Sequence, residues 1–554
     1  MADKKMRAAD LVVECLRRHG VEYVFGIPGA KIDAVFDALA GVDSPRLIVC
    51  RHEQNAAFMA ACIGRLTGKP GVVLVTSGPG VSNLGTGLVT ATTEGDPLVA
   101  LGGAVPRAMA LKQTHQSMDN VGFARPLTKS SVEVECAATI PEVIANAFRT
   151  ACQPRGGATF ISLPQDLLGE EVDDTSWDPP ASAVAGAAPA DVVESAARRI
   201  QGAQQPVLLL GLEASRAENA AAVRRLLEHF PMPTIETFEA AGVLSRDLAK
   251  HFCGRVGLFR NQPGDALLAE ADLVLSVGFQ PVEYDPEVWN AEGRLEILHL
   301  DEAPMVTGRC YRPSVELHGG LPATLDALVA RLPARSDVAR PDFVAEVRGR
   351  LDAGLEEALH RDGPLVHPLR FIHDLQSVVD DQTTVISDVG SHYMWLARHL
   401  YSYNPRRLLF SNGQQTLGVA LPWAMATRLV RPAEKIISIS GDGGFLFSAM
   451  ELETAVREKL DFVHFVWRDG TYNMVAAQEE MKYGRTSGVD FGRIDLVGFA
   501  QSFGAHGIAP AGPDEILPAL AEARSQGGPV LIDVPIDYGD NAELFAAVDA
   551  HAGH

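Results

Sequence analysis

Lys435-Ile-Ile-Ser-Ile-Ser-Gly-Asp-Gly443 is the stretch whose reading decides the fold. The β-branched run before Gly441 reads as a buried parallel strand. A chain leaving such a strand through Gly-Asp-Gly presents the Asp442 carboxylate at the strand's C-terminal end, where open α/β sheets place their ligands. A second strand, Phe462-Val-His-Phe-Val-Trp467, delivers Asp469 to the same edge, 27 positions after Asp442. Two carboxylates with a main-chain oxygen near Thr471 suit Mg²⁺, which takes hard oxygen ligands and keeps phosphate oxygens in its shell. Gly443 and Gly444 let a phosphate approach the backbone, and a helix expected to start near Ser448 would turn its positive end that way. The same triplet is also compatible with an ordinary turn.

Working outward, strand, Gly-rich loop and helix recur along the chain, and composition divides it into three α/β blocks. The first, residues 1–185, has strand candidates at Tyr23–Phe25, Leu47–Val49, Val72–Val75, Leu98–Leu101 and Thr159–Ser162, with helical stretches at Ala8–Arg18 and Asn55–Leu66. The Ala/Pro-rich stretch Trp177–Ala190 closes it. The second, 190–340, has strands at Pro206–Leu210, Pro233–Ile235, Leu273–Ser276 and Leu295–Leu300, and ends at Pro333–Pro341. The third, 345–554, carries the two carboxylates and a strand at Val530–Val534. The expected fold class is α/β, with three doubly wound parallel-sheet domains.

Composition excludes several function classes. The chain has 554 residues, 47% hydrophobic and 21% charged, the balance of a globular protein. A formal net charge of −22 argues against binding to nucleic acid or an anionic membrane surface. No apolar run approaches a membrane-spanning length, and Met1–Met6 lacks the apolar segment of a secretory leader, so a cytoplasmic location is expected. Seven cysteines without paired spacing read as reduced thiols, and neither they nor the 16 histidines suggest a zinc site.

Gly441-Asp442-Gly443 with Asp469 resembles the signature of the thiamin diphosphate-dependent enzymes. Where that family usually carries an Asn pair or Asp-Asn, this chain reads Asp469-Gly470, which leaves the carboxylate in place. Thr471 stands where Gly is more usual, and it would contribute only its main-chain oxygen. By this resemblance Asp442, Asp469 and Thr471 hold Mg²⁺, with Gly441, Gly443, Gly444, Tyr472, Asn473 and Met474 around the cofactor. Thr76-Ser-Gly-Pro-Gly-Val-Ser-Asn83 resembles the loop lining the pyrimidine pocket, through Gly78, Pro79 and Gly80. Asp388-Val-Gly-Ser-His-Tyr-Met-Trp395 resembles a diphosphate-binding strand end, with Gly390, Ser391 and His392 near phosphate. By the same resemblance, in Asn412-Gly-Gln-Gln-Thr-Leu-Gly418 Gln415 would face the cofactor and Leu417 would prop it into its bent form. Each of these loops is also compatible with a structural turn, and Leu417 with a core position.

Cys50-Arg-His-Glu-Gln-Asn-Ala-Ala57 places Glu53 where the decarboxylase group of the family keeps its catalytic Glu. A carboxylate there hydrogen-bonds N1′ of the aminopyrimidine and so activates the cofactor. A Glu opening a helix serves as a dipole residue just as simply. Over about residues 7–540 the chain resembles the acetolactate synthases within this family. Gln116, in Lys112-Gln-Thr-His-Gln-Ser-Met-Asp119, stands where relatives keep a Gln facing the reaction centre. Gln478 stands where flavin-containing relatives typically have Trp, although Gln is also common on exposed helices. Gly278-Phe-Gln-Pro-Val-Glu-Tyr-Asp285 lacks the Arg expected at a flavin, and Gln165 replaces a usual Lys. The resemblance therefore implies a catabolic, FAD-independent enzyme that joins two pyruvates into 2-acetolactate and CO₂ through a hydroxyethyl carbanion equivalent. It also implies a homodimer or homotetramer with sites between subunits. A 2-oxoacid decarboxylase, a flavin-linked pyruvate oxidase and a non-catalytic paralogue are the competing readings.

Overall fold

The computed structural model describes residues 5–110, 112–181, 183–357, 361 and 363–545. Residues 1–4 of the leader reading, position 182 of the expected linker and residues 546–554 of the third block lie outside these.

β1 (Lys5–Arg7) pairs antiparallel with β8 (Glu171–Asp173) and ties the two ends of the first domain together. Between them lie β2 (Tyr23–Gly26), β3 (Arg46–Val49), β4 (Gly71–Val75), β5 (Leu98–Ala104), β6 (Ser130–Glu133) and β7 (Ala158–Pro164). These six form a parallel sheet in the order β3-β2-β4-β5-β7-β6. The central sheet holds β9 (Pro206–Leu210), β10 (Thr234–Thr237), β11 (Phe252–Val256), β12 (Leu273–Val277), β13 (Glu296–Asp301) and β14 (Val315–His318). Its order, β11-β10-β9-β12-β13-β14, differs from that of the first sheet, whose pattern the third sheet repeats. The third sheet holds β15 (Thr383–Ser387), β16 (Leu408–Leu409), β17 (Lys435–Gly441), β18 (Phe462–Arg468), β19 (His506–Ile508) and β20 (Pro529–Pro535), in the order β16-β15-β17-β18-β20-β19. In the first and third sheets the last two strands exchange places at the edge, and in each sheet the winding changes direction near the middle, between β2 and β4, β9 and β12, or β15 and β17. That reversal opens a crevice at the strands' C-terminal ends.

The apolar strands expected from sequence appear within three residues of their expected ends, β5 running furthest past its expectation, to Ala104. Eight strands had no expectation: β1 and β8 are three residues each and pair only with one another, and each of the other six has a physical reason. β6, β14, β16 and β19 are short or lie on sheet edges, where burial imposes no apolar run. β15 begins Thr-Thr yet is buried along its whole length. β11 contains Arg255, whose buried guanidinium pairs with Glu236 on β10 and so breaks the apolar pattern.

Ala8–Arg18 is helical as expected, burying Leu11, Val12, Cys15 and Leu16. The second expected helix runs Glu53–Thr67, longer at both ends than the apolar period indicated. His52 caps its start by accepting from Gln54 N at 3.1 Å, and Gly68 ends it at φ +73°. Ala56, Ala57, Ala60 and Ala61 are small enough to let this helix lie close against Ala420–Val430 of the third domain. The two domains therefore share one apolar core. Arg65 on the same helix is buried between Glu94, Asp96 and Glu239, joining first and central domains by charges that burial obliges to stay paired.

Candidate active site

The third-sheet reversal lies between the ends of β15 and β17, and a cavity of about 240 Å³ opens there. Its walls include Gly390, Ser391 and His392 after β15, and Gln415 and Leu417 from the loop before Ala420. Gly441, Asp442, Gly443 and Gly444 follow β17, while Asp469, Thr471, Tyr472, Asn473, Met474 and Gln478 follow β18. All the expected residues of the diphosphate and metal half thus come together around one cavity.

The carboxylates are held from behind. Asp442 accepts from Gly470 N at 2.9 Å and Gly443 N at 3.1 Å. Asp469 accepts from Thr471 Oγ1 and Asn473 Nδ2, both at 2.8 Å. Asn473 is itself oriented by Ser391 Oγ and Asn541 Nδ2, which donate to its side-chain oxygen. Burial pushes Asp442 up to about 6, with the Asp469 charge adding to the shift. Burial also raises Asp469, against the hydrogen bonds from Thr471 and Asn473. Among the described residues neither carboxylate has an ion-pair partner, so the pair lacks the positive charge that a divalent cation would supply. No cluster of three or more acidic, His or Cys side chains exists among those residues, which disfavours a cation held by protein alone. Two carboxylates plus main-chain oxygen fit Mg²⁺ shared with a phosphate.

The phosphate side fits as well. His392 is buried, its Nε2 has no hydrogen-bond partner, and burial pulls its pKa down to about 3, so the ring is neutral. Gly390, at φ +150°, leads into the helix Ser391–His399, whose first turn lines the cavity. A Cβ on Gly443 would fall 2.7 Å from the Tyr472 ring, so a side chain here would have to push that ring aside. The helix expected near Ser448 starts instead at Glu451, and the backbone facing the cavity is that of the short helix Asp442–Phe445. The longer helix cannot turn its N-terminus to the cavity because Glu451 is engaged with the first domain.

Five expected residues stand elsewhere. Glu53, Gly78, Pro79, Gly80 and Gln116 gather at the first-sheet reversal, between the ends of β2 and β4, and none lines the third-domain cavity. Glu53 opens its helix, largely buried, with Oε2 accepting from Asn83 Nδ2 at 2.9 Å. A Cβ on Gly80 would lie 3.7 Å from Glu53 Oε1. Gly78, at φ +66°, brings the backbone against Gln116, and Ser77 Oγ donates to the Gln116 carbonyl at 2.7 Å. Within one chain the expected residues therefore form two separate groups.

Sequence reasoning passed over several supports. Asp388 is buried, accepts from Val389 N at 2.8 Å and from Gly418 N at 2.9 Å, and so ties the β15 loop to the one carrying Leu417. Burial pushes it up to about 7. Val389, Trp467, Val475 and Tyr538 also line the cavity. Tyr538 follows β20, a strand ending on the same sheet edge, and that placement was the available signal.

Comparison with known proteins agrees with this geometry. Three family models match: "Thiamine pyrophosphate enzyme, N-terminal TPP binding domain" over residues 6–123, the corresponding "central domain" over 193–328, and the "C-terminal TPP binding domain" over 388–534. The chain is 52% identical to the acetolactate synthase of Bacillus subtilis (strain 168), over 98% of this chain and 95% of that protein. It is 47% identical to the catabolic acetolactate synthase of Raoultella terrigena, covering 97% and 96%. Identity to the large subunit of acetolactate synthase isozyme 1 of Escherichia coli (strain K12) is 31%, covering 96% and 94%. With the cavity, the two carboxylates and the three matched domains in agreement, the chain belongs to the acetolactate synthases of the thiamine pyrophosphate enzyme family.

Proposed function

We propose that this protein condenses two pyruvates into 2-acetolactate and CO₂, using thiamin diphosphate and Mg²⁺ without FAD. The Asp442–Asp469 pair at the mouth of a glycine-walled cavity carries this reading, and the names of the relatives favour it over a decarboxylase or an oxidase. When bound, thiamin diphosphate supplies the electron sink for decarboxylation and the nucleophilic carbon for ligation. Asp442, Asp469 and the Thr471 carbonyl would hold Mg²⁺. His392 Nε2 and the glycine backbone at 390, 443 and 444 would receive the diphosphate, and Leu417 would support the cofactor's bend. Glu53 would hydrogen-bond the pyrimidine nitrogen N1′ and hold its proton. Gln116 and Gln478 would shape the acceptor pocket, and their surroundings would keep water from the reacting carbon.

Because Glu53 and Asp442 sit in separate half-sites of one chain, the working unit is a homodimer or a homotetramer in which one copy's first domain covers its partner's cavity. Partly exposed Leu446, Phe447, Tyr472 and Val475 near that cavity supply an apolar surface for such a cover. The flavin-free reading is supported by Glu283 in the central domain. Its carboxylate accepts from Leu212 N, Gln280 N and Thr237 Oγ1 at 2.8, 2.9 and 2.6 Å, using amides at that sheet's own reversal. No helix among the described residues is long and apolar enough to cross a membrane, and with a net charge of −22 we place the enzyme in the cytoplasm, apart from nucleic acid and membranes.

The test is a product assay on flavin-free protein given pyruvate, thiamin diphosphate and Mg²⁺. Acetolactate and CO₂ in equal amounts are expected. Acetaldehyde alone, or turnover only after FAD is added, would reject the reading.

A further inference from the structure

Glu451 has a fully buried carboxylate in the third domain, yet it serves backbone of the first. Its Oε1 accepts from Arg51 N and His52 N, both at 3.0 Å, and from Asn55 Nδ2 at 3.2 Å. Its Oε2 accepts from Arg51 N at 3.2 Å and from Thr454 Oγ1 at 2.7 Å. Arg51 and His52 are the two residues immediately before Glu53, and Asn55 lies in the first turn of Glu53's helix. Arg457, at the other end of the helix Glu451–Arg457, donates to the Val49 carbonyl at the end of β3. One short third-domain helix thus grips the segment from the end of β3 to the first turn after His52. Buried amides left without an acceptor are costly, so this grip fixes the segment's backbone more firmly than a surface turn.

We propose that Glu451 is a positioning residue for Glu53, a clamp from the third domain that sets the height and direction at which the Glu53 carboxylate leaves its helix. This rests on the reading of Glu53 as the group that activates the cofactor. A carboxylate acting on one ring nitrogen must be placed to within a fraction of an ångström, and small displacements at a distance lower rates strongly. Glu451 makes no contact with the cavity and takes no part in proton transfer.

The experiment compares Glu451→Gln with Thr454→Val, which removes only the hydroxyl that orients Glu451, and with Lys459→Gln, exposed just past the same helix, as a control. Amide hydrogen exchange of the peptide spanning 50–57 is read in the full-length protein without cofactor. Exchange of the C2 proton of bound thiamin diphosphate is then read by NMR, alongside cofactor affinity, kcat and KM. Glu451→Gln should speed amide exchange in that peptide by about tenfold, because one acceptor oxygen becomes a donor facing backbone N–H groups. C2-proton exchange and kcat should fall together by about tenfold, with cofactor affinity and the KM for pyruvate nearly unchanged. Thr454→Val should move both in the same direction by about threefold, which keeps the test open should Glu451→Gln fail to fold. Unchanged amide exchange in Thr454→Val and in any folded Glu451→Gln would overturn the clamp. Faster amide exchange with normal C2 exchange would overturn its positioning role. Normal C2 exchange in Glu53→Gln would instead remove Glu53 from activation, and the cofactor-free arm would still read the clamp.

Discussion

The third and central domains are both six-stranded parallel sheets with a crevice where the winding changes direction, though their strand orders differ, and they treat that crevice oppositely. At the end of β17 the chain keeps glycine at 441, 443 and 444, and among the described residues His392 Nε2 has no hydrogen-bond partner and the carboxylates of buried Asp442 and half-buried Asp469 have no ion-pair partner. At the end of β9 and β12 the central domain turns Glu283 back onto its own amides. A Cβ on Gly211 would fall 2.7 Å from Glu283 Oε1, so the carboxylate fills the reversal closely. One crevice has polar groups awaiting a ligand, and the other has supplied an internal one. The crevice of a doubly wound parallel sheet can therefore serve binding or stability, according to a few side chains at the loop ends.

The largest effect expected is from Asp442→Ala. Losing half of the carboxylate pair proposed to hold Mg²⁺ should lower activity at least about a thousandfold at fixed cofactor, with little change in thermal unfolding of the cofactor-free protein. Full activity at the same Mg²⁺ concentration would erase the distinction between the two crevices. Next comes Glu53→Gln, which should cost about a hundredfold to a thousandfold in kcat while cofactor affinity, measured by titration, stays near wild type. Loss of affinity in place of turnover would make Glu53 a binding group only.

Glu283→Ala reverses the pattern. It strands two backbone amides and the Thr237 hydroxyl, so denaturant unfolding should show a loss of about 3 kcal/mol, with normal activity per folded molecule. An activity loss without destabilisation would mean that the central crevice has a ligand after all. The smallest effect is from Gln478→Trp, exposed at the cavity wall. In competition between pyruvate and 2-ketobutyrate it should move acceptor preference toward 2-ketobutyrate by about tenfold. An unchanged product ratio would remove Gln478 from acceptor choice.

Much of the binding crevice was legible because its chemistry is local. Asp442 and Asp469 each follow an apolar strand directly, and the loops at 388–392 and 412–418 follow the same grammar of strand end, glycine and helix. Sequence separation hides the rest. Asp388 matters through Gly418, Tyr538 through a strand near the chain's end, and Glu451 through amides some 400 positions away. The expected helix near Ser448 was misplaced for the same reason, since its start is set by the contact with Arg51 and His52. Buried polar strands such as β11 and β15 were missed because their ion pairs and hydroxyl contacts satisfy burial without an apolar run.

The account's central claim is that an open third-domain crevice is activated by Glu53 from another copy of the chain. Co-expression of Glu53→Gln and Asp442→Ala chains, each inactive alone, tests it most directly. In mixed dimers one site receives both lesions and the other neither, so random pairing should restore about one quarter of wild-type acetolactate formation. No recovered activity, with mixed dimers present in the sample, would place both groups in a site built from a single chain and contradict the account.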